Sequence, residues 1–137
     1  MIYVDANIFI YSVTSKSGEI VSLCRNVLSK IVEGEEQGFT SVLTWDEFFW
    51  ITRRVLGFEH AKVESAKFLN TPNLKFILAD EKIVRNAQTL TELYGLKPRD
   101  AIHAASALSH GITRFVSSDP DFDAVKELKR IPIGEFK

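Results

Sequence analysis

The sequence predicts an α/β protein, a three-layer α/β/α sandwich around a central, mostly parallel sheet. Short apolar runs rich in Val, Ile and Phe alternate with longer segments whose apolar residues recur at helical spacing, the pattern of strands joined by crossover helices. With 137 residues the chain buries roughly two-thirds of the surface its unfolded form exposes, enough for one apolar core and too little for a second domain. No repeat, linker or low-complexity tract interrupts the pattern, so residues 1–137 read as one domain.

The elements follow in order. Ile2-Tyr3-Val4 is a buried strand halted by Asp5, and a turn through Asn7 leads into the apolar run Ile8 to Tyr11. Ser17-Gly18 opens a helix with Ile20, Leu23, Val27, Leu28 and Ile31 on one face, ending near Gly34. Phe39 to Val42 is a strand. Thr44 begins a second helix that Gly57 closes, with Thr44 and Glu47 spaced as a capping box, and a third helix runs from Glu59 to about Leu69. Leu74 to Ala79 is a strand. Asp80 caps a helix that ends at Gly95, and Pro98 stands at the first position of another that ends at His110 and Gly111. Arg114 to Ser117 is a strand, Asp119 to Leu128 a turn with a short helix, and Arg130 to Ile133 a last strand.

Composition narrows the chemistry. Cys24 has no partner and only His60, His103 and His110 are present, which excludes a disulfide framework and a Cys/His zinc site. Met1 runs directly into the first strand with no basic segment of a secretory signal, and no apolar stretch reaches the roughly 18 residues of a membrane span. A cytoplasmic protein with no membrane partner is expected. Lys and Arg number 17 against 18 Asp and Glu, so no overall positive charge draws the chain to a polyanion. Attraction to phosphate would have to come from a local patch or from bound cations.

Ligands of open α/β sheets bind beyond the carboxyl ends of the strands. Four acids fall at such positions: Asp5 after the first strand, Glu47 in the first turn after the second, Asp100 in the first turn after Pro98, and Asp119 after Arg114 to Ser117. Carboxylates gathered at one edge repel one another unless a cation joins them. A hard divalent ion, Mg²⁺ or Mn²⁺, suits such oxygen ligands and supports phosphoryl chemistry by polarising phosphate and activating water. The run Asp119-Pro120-Asp121-Phe122-Asp123 is not a calcium loop, because Ala124 and Arg130 stand where Gly and Glu would be required. His103, one turn beyond Asp100 in an Ala-rich helix, reads as a partly buried, hydrogen-bonded residue, and Cys24 as inert core. Trp45, Phe48, Phe49 and Trp50 cover too much of one helix to be core alone and suggest an exposed partner surface.

At these residues the sequence resembles the PIN-domain family, in particular the small VapC-type ribonuclease toxins of toxin–antitoxin pairs. Ile2-Tyr3-Val4-Asp5-Ala6-Asn7-Ile8-Phe9-Ile10 looks like the family's opening strand and first acid, and Leu43-Thr44-Trp45-Asp46-Glu47 matches its second motif. Pro98-Arg99-Asp100-Ala101-Ile102-His103-Ala104-Ala105 is the most specific stretch, and Phe115-Val116-Ser117-Ser118-Asp119-Pro120-Asp121-Phe122 resembles the closing motif, with Ser117 in place of the usual threonine. The resemblance implies that Asp5, Glu47, Asp100 and Asp119 hold Mg²⁺ or Mn²⁺, with Asp121 a weaker ligand and Asn7 and Ser117 as hydrogen-bonding supports. It also implies an RNA substrate, an antitoxin partner and a homodimer.

The function expected is a metal-dependent endoribonuclease. Arg53, Arg54, Lys97, Arg99 and Arg114 are the candidate phosphate contacts. Two other classes stand beside it: a PIN-like domain kept for binding or dimerisation, and a phosphatase of the haloacid-dehalogenase type. The latter would need a second acid where Asn7 stands.

Overall fold

A computed structural model describes residues 1–137. Five strands, β1 (Ile2–Val4), β2 (Gly38–Ser41), β3 (Leu74–Ile77), β4 (Arg114–Val116) and β5 (Lys129–Ile131), form one sheet in the order β3-β2-β1-β4-β5. All four pairings are parallel, so the sheet is wholly parallel. Six helices connect the strands: α1 (Ala6–Thr14), α2 (Gly18–Val32), α3 (Leu43–Leu56), α4 (Phe58–Leu69), α5 (Glu81–Tyr94) and α6 (Pro98–Ser109). A parallel sheet has both faces covered by its crossovers, and alternate residues of each strand enter opposite cores. Tyr3 and Phe115 therefore pack with Ile83, Leu90 and Ala104 beneath α5 and α6. Ile2, Val4 and Val116 pack with Ile8, Val27, Phe48 and Phe68 beneath the first four helices.

The strand order reverses at β1. From β1 the chain steps to β2 and then β3 on one side, returns through α5 and α6, and continues with β4 and β5 on the other. The carboxyl ends of β1 and β4 thus lie side by side at the switch point, where open α/β sheets form their ligand crevice. Asp5 donates its backbone N–H to Val116 O at 3.0 Å, which ties the two ends together.

Three local expectations are corrected. The turn expected after β1 is the start of α1: Asp5 is its N-cap and accepts from Ala6 N–H at 2.8 Å. Ala6, Ile8, Phe9, Ile10 and Ser12 are all buried in α1, so the segment carries no polar face from which a helical period is legible. The capping box at α3 does not form. Thr44 is fully buried and shares a 2.7 Å hydrogen bond with Thr40 Oγ1, which itself donates to Val4 O at 2.8 Å. Ser41 Oγ instead accepts the Leu43 N–H at 3.0 Å, and Glu47 is drawn to another helix. The short helix after β4 is a 3₁₀ turn, Pro120–Ala124.

Candidate metal centre

The acids reach the carboxyl edge of the sheet on four separate elements. Asp5 ends β1 and is almost completely buried, with both oxygens occupied: Oδ1 accepts from Ala6 N–H and Oδ2 from the Ser117 hydroxyl at 2.7 Å. Ser117, just past β4, also accepts from the Asp119 N–H at 3.0 Å and from Asn7 Nδ2 at 3.4 Å. One buried hydroxyl thus binds the ends of β1 and β4 and the start of α1 into a single hydrogen-bonded unit. Asp119 caps the 3₁₀ turn by accepting from the Asp121 N–H at 2.9 Å, which folds Asp121 back beside it.

Pro98 begins α6 and sets Asp100 in its first turn, half-buried, across from that loop. Asp100, Asp119 and Asp121 each offer one carboxylate oxygen within 4.8 Å of the others. Their crowding has an electrostatic signature: the Asp100 pKa rises to about 6, through burial first and then the charges of Asp5 and Asp119. Asp5 is also shifted up, by burial above all, although His103 and the Ser117 hydroxyl pull the other way.

Glu47 reaches the pocket on the far side of His103, whose Nε2 lies 2.7 Å from Glu47 Oε1 and 3.8 Å from Asp5 Oδ1. The other ring nitrogen, Nδ1, meets the Tyr3 hydroxyl at 2.7 Å. Burial is the largest influence on His103 and lowers its pKa, but the bond to Glu47 and the charges of Asp5, Glu47 and Asp100 outweigh it, and the net shift is upward. His103 was expected to be a hydrogen-bonded core residue. It is one, and its partner is an acid of the pocket. Tyr3 carried no signal in the sequence, because an aromatic residue inside an apolar strand looks like any other core side chain.

The candidate phosphate contacts scatter. Lys97 and Arg99 are exposed on either side of Pro98, next to Asp100. Arg53 and Arg54 lie in the last turn of α3, about 15 Å along the helix from its first residue. Arg53 covers the Phe58 ring at 5.1 Å. Arg114 begins β4 at the opposite edge of the sheet and pairs with Glu36 at 2.8 Å. Arg130, which sequence reasoning passed over, lies nearer: it grips Asp123 through Nε at 2.8 Å and donates from Nη1 to Ser117 O at 3.1 Å. Only its pairing in β5 opposite Phe115, beside Val116, brings it there.

The donor set fits a hard divalent cation. Every side-chain atom offered by the aspartates is an oxygen, the carboxylates are crowded, and Asn7 Oδ1 is buried with no hydrogen-bond partner beside Ser117. An orphaned carbonyl next to gathered carboxylates is a further oxygen donor suited to an ion or its water shell.

The fold has solved counterparts. VapC20 of Mycobacterium tuberculosis, described as a sarcin-ricin-loop-cleaving toxin, superposes with a TM-score of 0.76 at 16% identity, covering 92% of this chain and 95% of that one. VapBC2 of Rickettsia felis, solved with a DNA fragment from its promoter, gives 0.73 at 19% identity over 96% and 98%. A toxin–antitoxin complex from Klebsiella pneumoniae gives 0.69 at 18% over 94% and 96%. At such identities the likeness is one of fold. Comparison with curated proteins finds no match. The PIN domain family model matches residues 2–128, a span that takes in β1 and Asp5 at one end and the Asp119–Asp121 loop at the other. With its acids drawn to the switch point of a parallel sheet and that model matched along nearly its whole length, the chain belongs to the PIN domain family.

Proposed function

We propose that this protein is a Mg²⁺- or Mn²⁺-dependent endoribonuclease that hydrolyses RNA phosphodiester bonds, and that it is the cytoplasmic toxin of a toxin–antitoxin pair. The observation that carries the reading is the gathering of Asp100, Asp119 and Asp121 beside buried Asp5 at the β1–β4 switch point. In this reading Asp100, Asp119 and Asp121 hold the cation, while Asp5 and Glu47 complete the negative wall of the pocket. A divalent cation supplies charge for the phosphate and lowers the pKa of a bound water toward neutrality.

The chain's own groups set the geometry. Ser117 and the Ala6 N–H keep Asp5 in one rotamer, so its charge is preorganised and costs no reorientation during reaction. Ser117 also orders the Asp119 loop, and Asn7 adds its free carbonyl. In this reading Lys97 and Arg99, exposed beside Asp100, meet flanking phosphates; Arg114 pairs with Glu36 at the far edge of the sheet. Family membership leaves the phosphatase alternative without support, and Asn7 stands where that class needs its second acid.

The toxin–antitoxin assignment draws on the Klebsiella complex of the same fold. An apolar groove lined by Phe9, Val13, Leu28, Val32, Phe48 and Phe68 offers a partner segment a surface, and exposed Trp45 and Trp50 on α3 offer a second copy of the chain another. The test is cleavage of total RNA with and without Mn²⁺, wild type beside Asp5→Asn. Cleavage should require the metal and fall roughly a hundredfold or more in the variant, at or above the loss typical of groups that only support a metal site. Metal-independent cleavage, or full activity in Asp5→Asn, would sink the proposal. A protein that binds no Mn²⁺ and cleaves nothing would return the reading to a binding module.

A further inference from the structure

His103 is 1% exposed in the Ala-rich helix α6, and both of its ring nitrogens are engaged. The Glu47 carboxylate, an acceptor only, requires the hydrogen on Nε2. The other ring nitrogen, Nδ1, is held by the Tyr3 hydroxyl at 2.7 Å, so the ring is fixed at both ends. Tyr3 cannot move: it is fully buried on the middle strand and stacks on Phe115, with ring centroids 4.9 Å apart and planes 12° apart. A buried line of hydrogen bonds therefore runs from β1 through α6 to α3, joining residues 100 and 56 positions apart in the chain.

That line ends at the pocket rather than in the core. Glu47 is 15% exposed, and only its Oε1 is taken by His103. A free glutamate side chain loses rotamer freedom when it is recruited to a ligand, and prior fixation removes that cost. We propose that Tyr3 and His103 are a positioning pair: Tyr3 anchors the imidazole ring through Nδ1, and His103 presets the Glu47 carboxylate beside Asp5 for the cation site. The inference rests on the metal-nuclease reading above and assigns a role to two residues that touch neither substrate nor metal.

The test is a mutant cycle read by calorimetric titration of the purified protein with Mn²⁺ alone, with thermal melts as the check on folding. Tyr3→Phe keeps the ring and its stacking and deletes only the hydroxyl, and it should raise the Mn²⁺ Kd roughly tenfold. In a Glu47→Gln background the same change should alter Kd by less than about twofold, because the line then ends on a group whose placement no longer governs a charge. A loss of affinity equally large in both backgrounds, or no loss in the wild-type background, would overturn the pairing while leaving the metal site intact. Failure of the wild-type protein to bind Mn²⁺ would overturn both readings. A second pair of variants covers the case in which Tyr3→Phe does not fold. His103→Gln retains an amide donor for Glu47 and should bind Mn²⁺ more tightly than His103→Leu; equal affinities would refute the positioning role.

Discussion

Asp100 has a pKa of about 6 in the folded chain, against about 3.9 for an unfolded aspartate. Because the folded value is the higher one, this carboxyl adds stability that is fully present below about pH 4 and is lost as pH rises through 6. Without metal, Asp100→Asn is therefore expected to flatten the fall in melting temperature between pH 4 and 7. It should also make the protein more stable at pH 7, by about 1 kcal/mol once solvent screening is allowed for, or roughly 3–4 °C. Saturating Mg²⁺ should raise the wild-type melting temperature and leave the variant's nearly unchanged, since a ligand stabilises only the state that binds it. Scanning calorimetry at several pH values checks both. A variant less stable than wild type at pH 7 would mean that Asp100 makes contacts beyond mutual repulsion. Cys24 gives a simpler residue-scale expectation: it is fully buried and its thiol pKa is raised to about 11 by burial, so a thiol reagent should modify it only after denaturant is added.

At the scale of elements, two contacts control how the site is carried. Thr44 does not cap α3; it links the helix start to β2 and β1 through Thr40. Thr44→Val keeps the shape and removes one of the two hydrogen bonds of the Thr40 hydroxyl, whose bond to Val4 O remains, so a loss of about 1 kcal/mol is expected in denaturant melts. Gly38 lets α2 lie close on β2: a Cβ there would stand 2.7 Å from Ile31 Cδ1. Gly38→Ala should cost about 1–3 kcal/mol by overpacking, visible as a lower denaturation midpoint with an unchanged slope. The elements differ in how plainly they were written in the sequence. α5 and α6 were legible to within a residue or two because Asp80, Gly95, Pro98 and Gly111 punctuate them. α1 was not, because nearly every side chain in its first turns is buried and the apolar run reads equally as strand or helix. The capping box at Thr44 failed because tertiary partners outbid the local ones: Thr40 claimed the hydroxyl and His103 the carboxylate.

At the scale of the molecule, a net charge of −1 coexists with a pocket of like charge. If RNA is bound through cations at that pocket and through Lys97 and Arg99, affinity should fall with added salt, with a slope of about −0.7 per phosphate neutralised on a single strand. It should also collapse when chelator removes the metal. Filter binding with the cleavage-impaired Asp5→Asn protein across a salt series measures the first, and the same assay with excess chelator measures the second. Binding that ignores both salt and chelator would discard the electrostatic account. No helix is long and apolar enough to cross a membrane.

The fold class and the alternation of strands and helices followed from the sequence alone, because period, punctuation and residue type are local properties. Which acids face one another did not. Asp5 and Ser117 are 112 positions apart and meet only because β4 returns to pair with β1. The same return sets Asp121 with Asp100 and Asp119 and brings Arg130 to the loop, and the packing of α3 against α6 turns Glu47 to His103. Those partnerships belong to the sheet order and the packing of α3 and α6 across it. Burial at that junction removes water as the competing hydrogen-bond partner, so tertiary position alone decides which group each carboxylate binds.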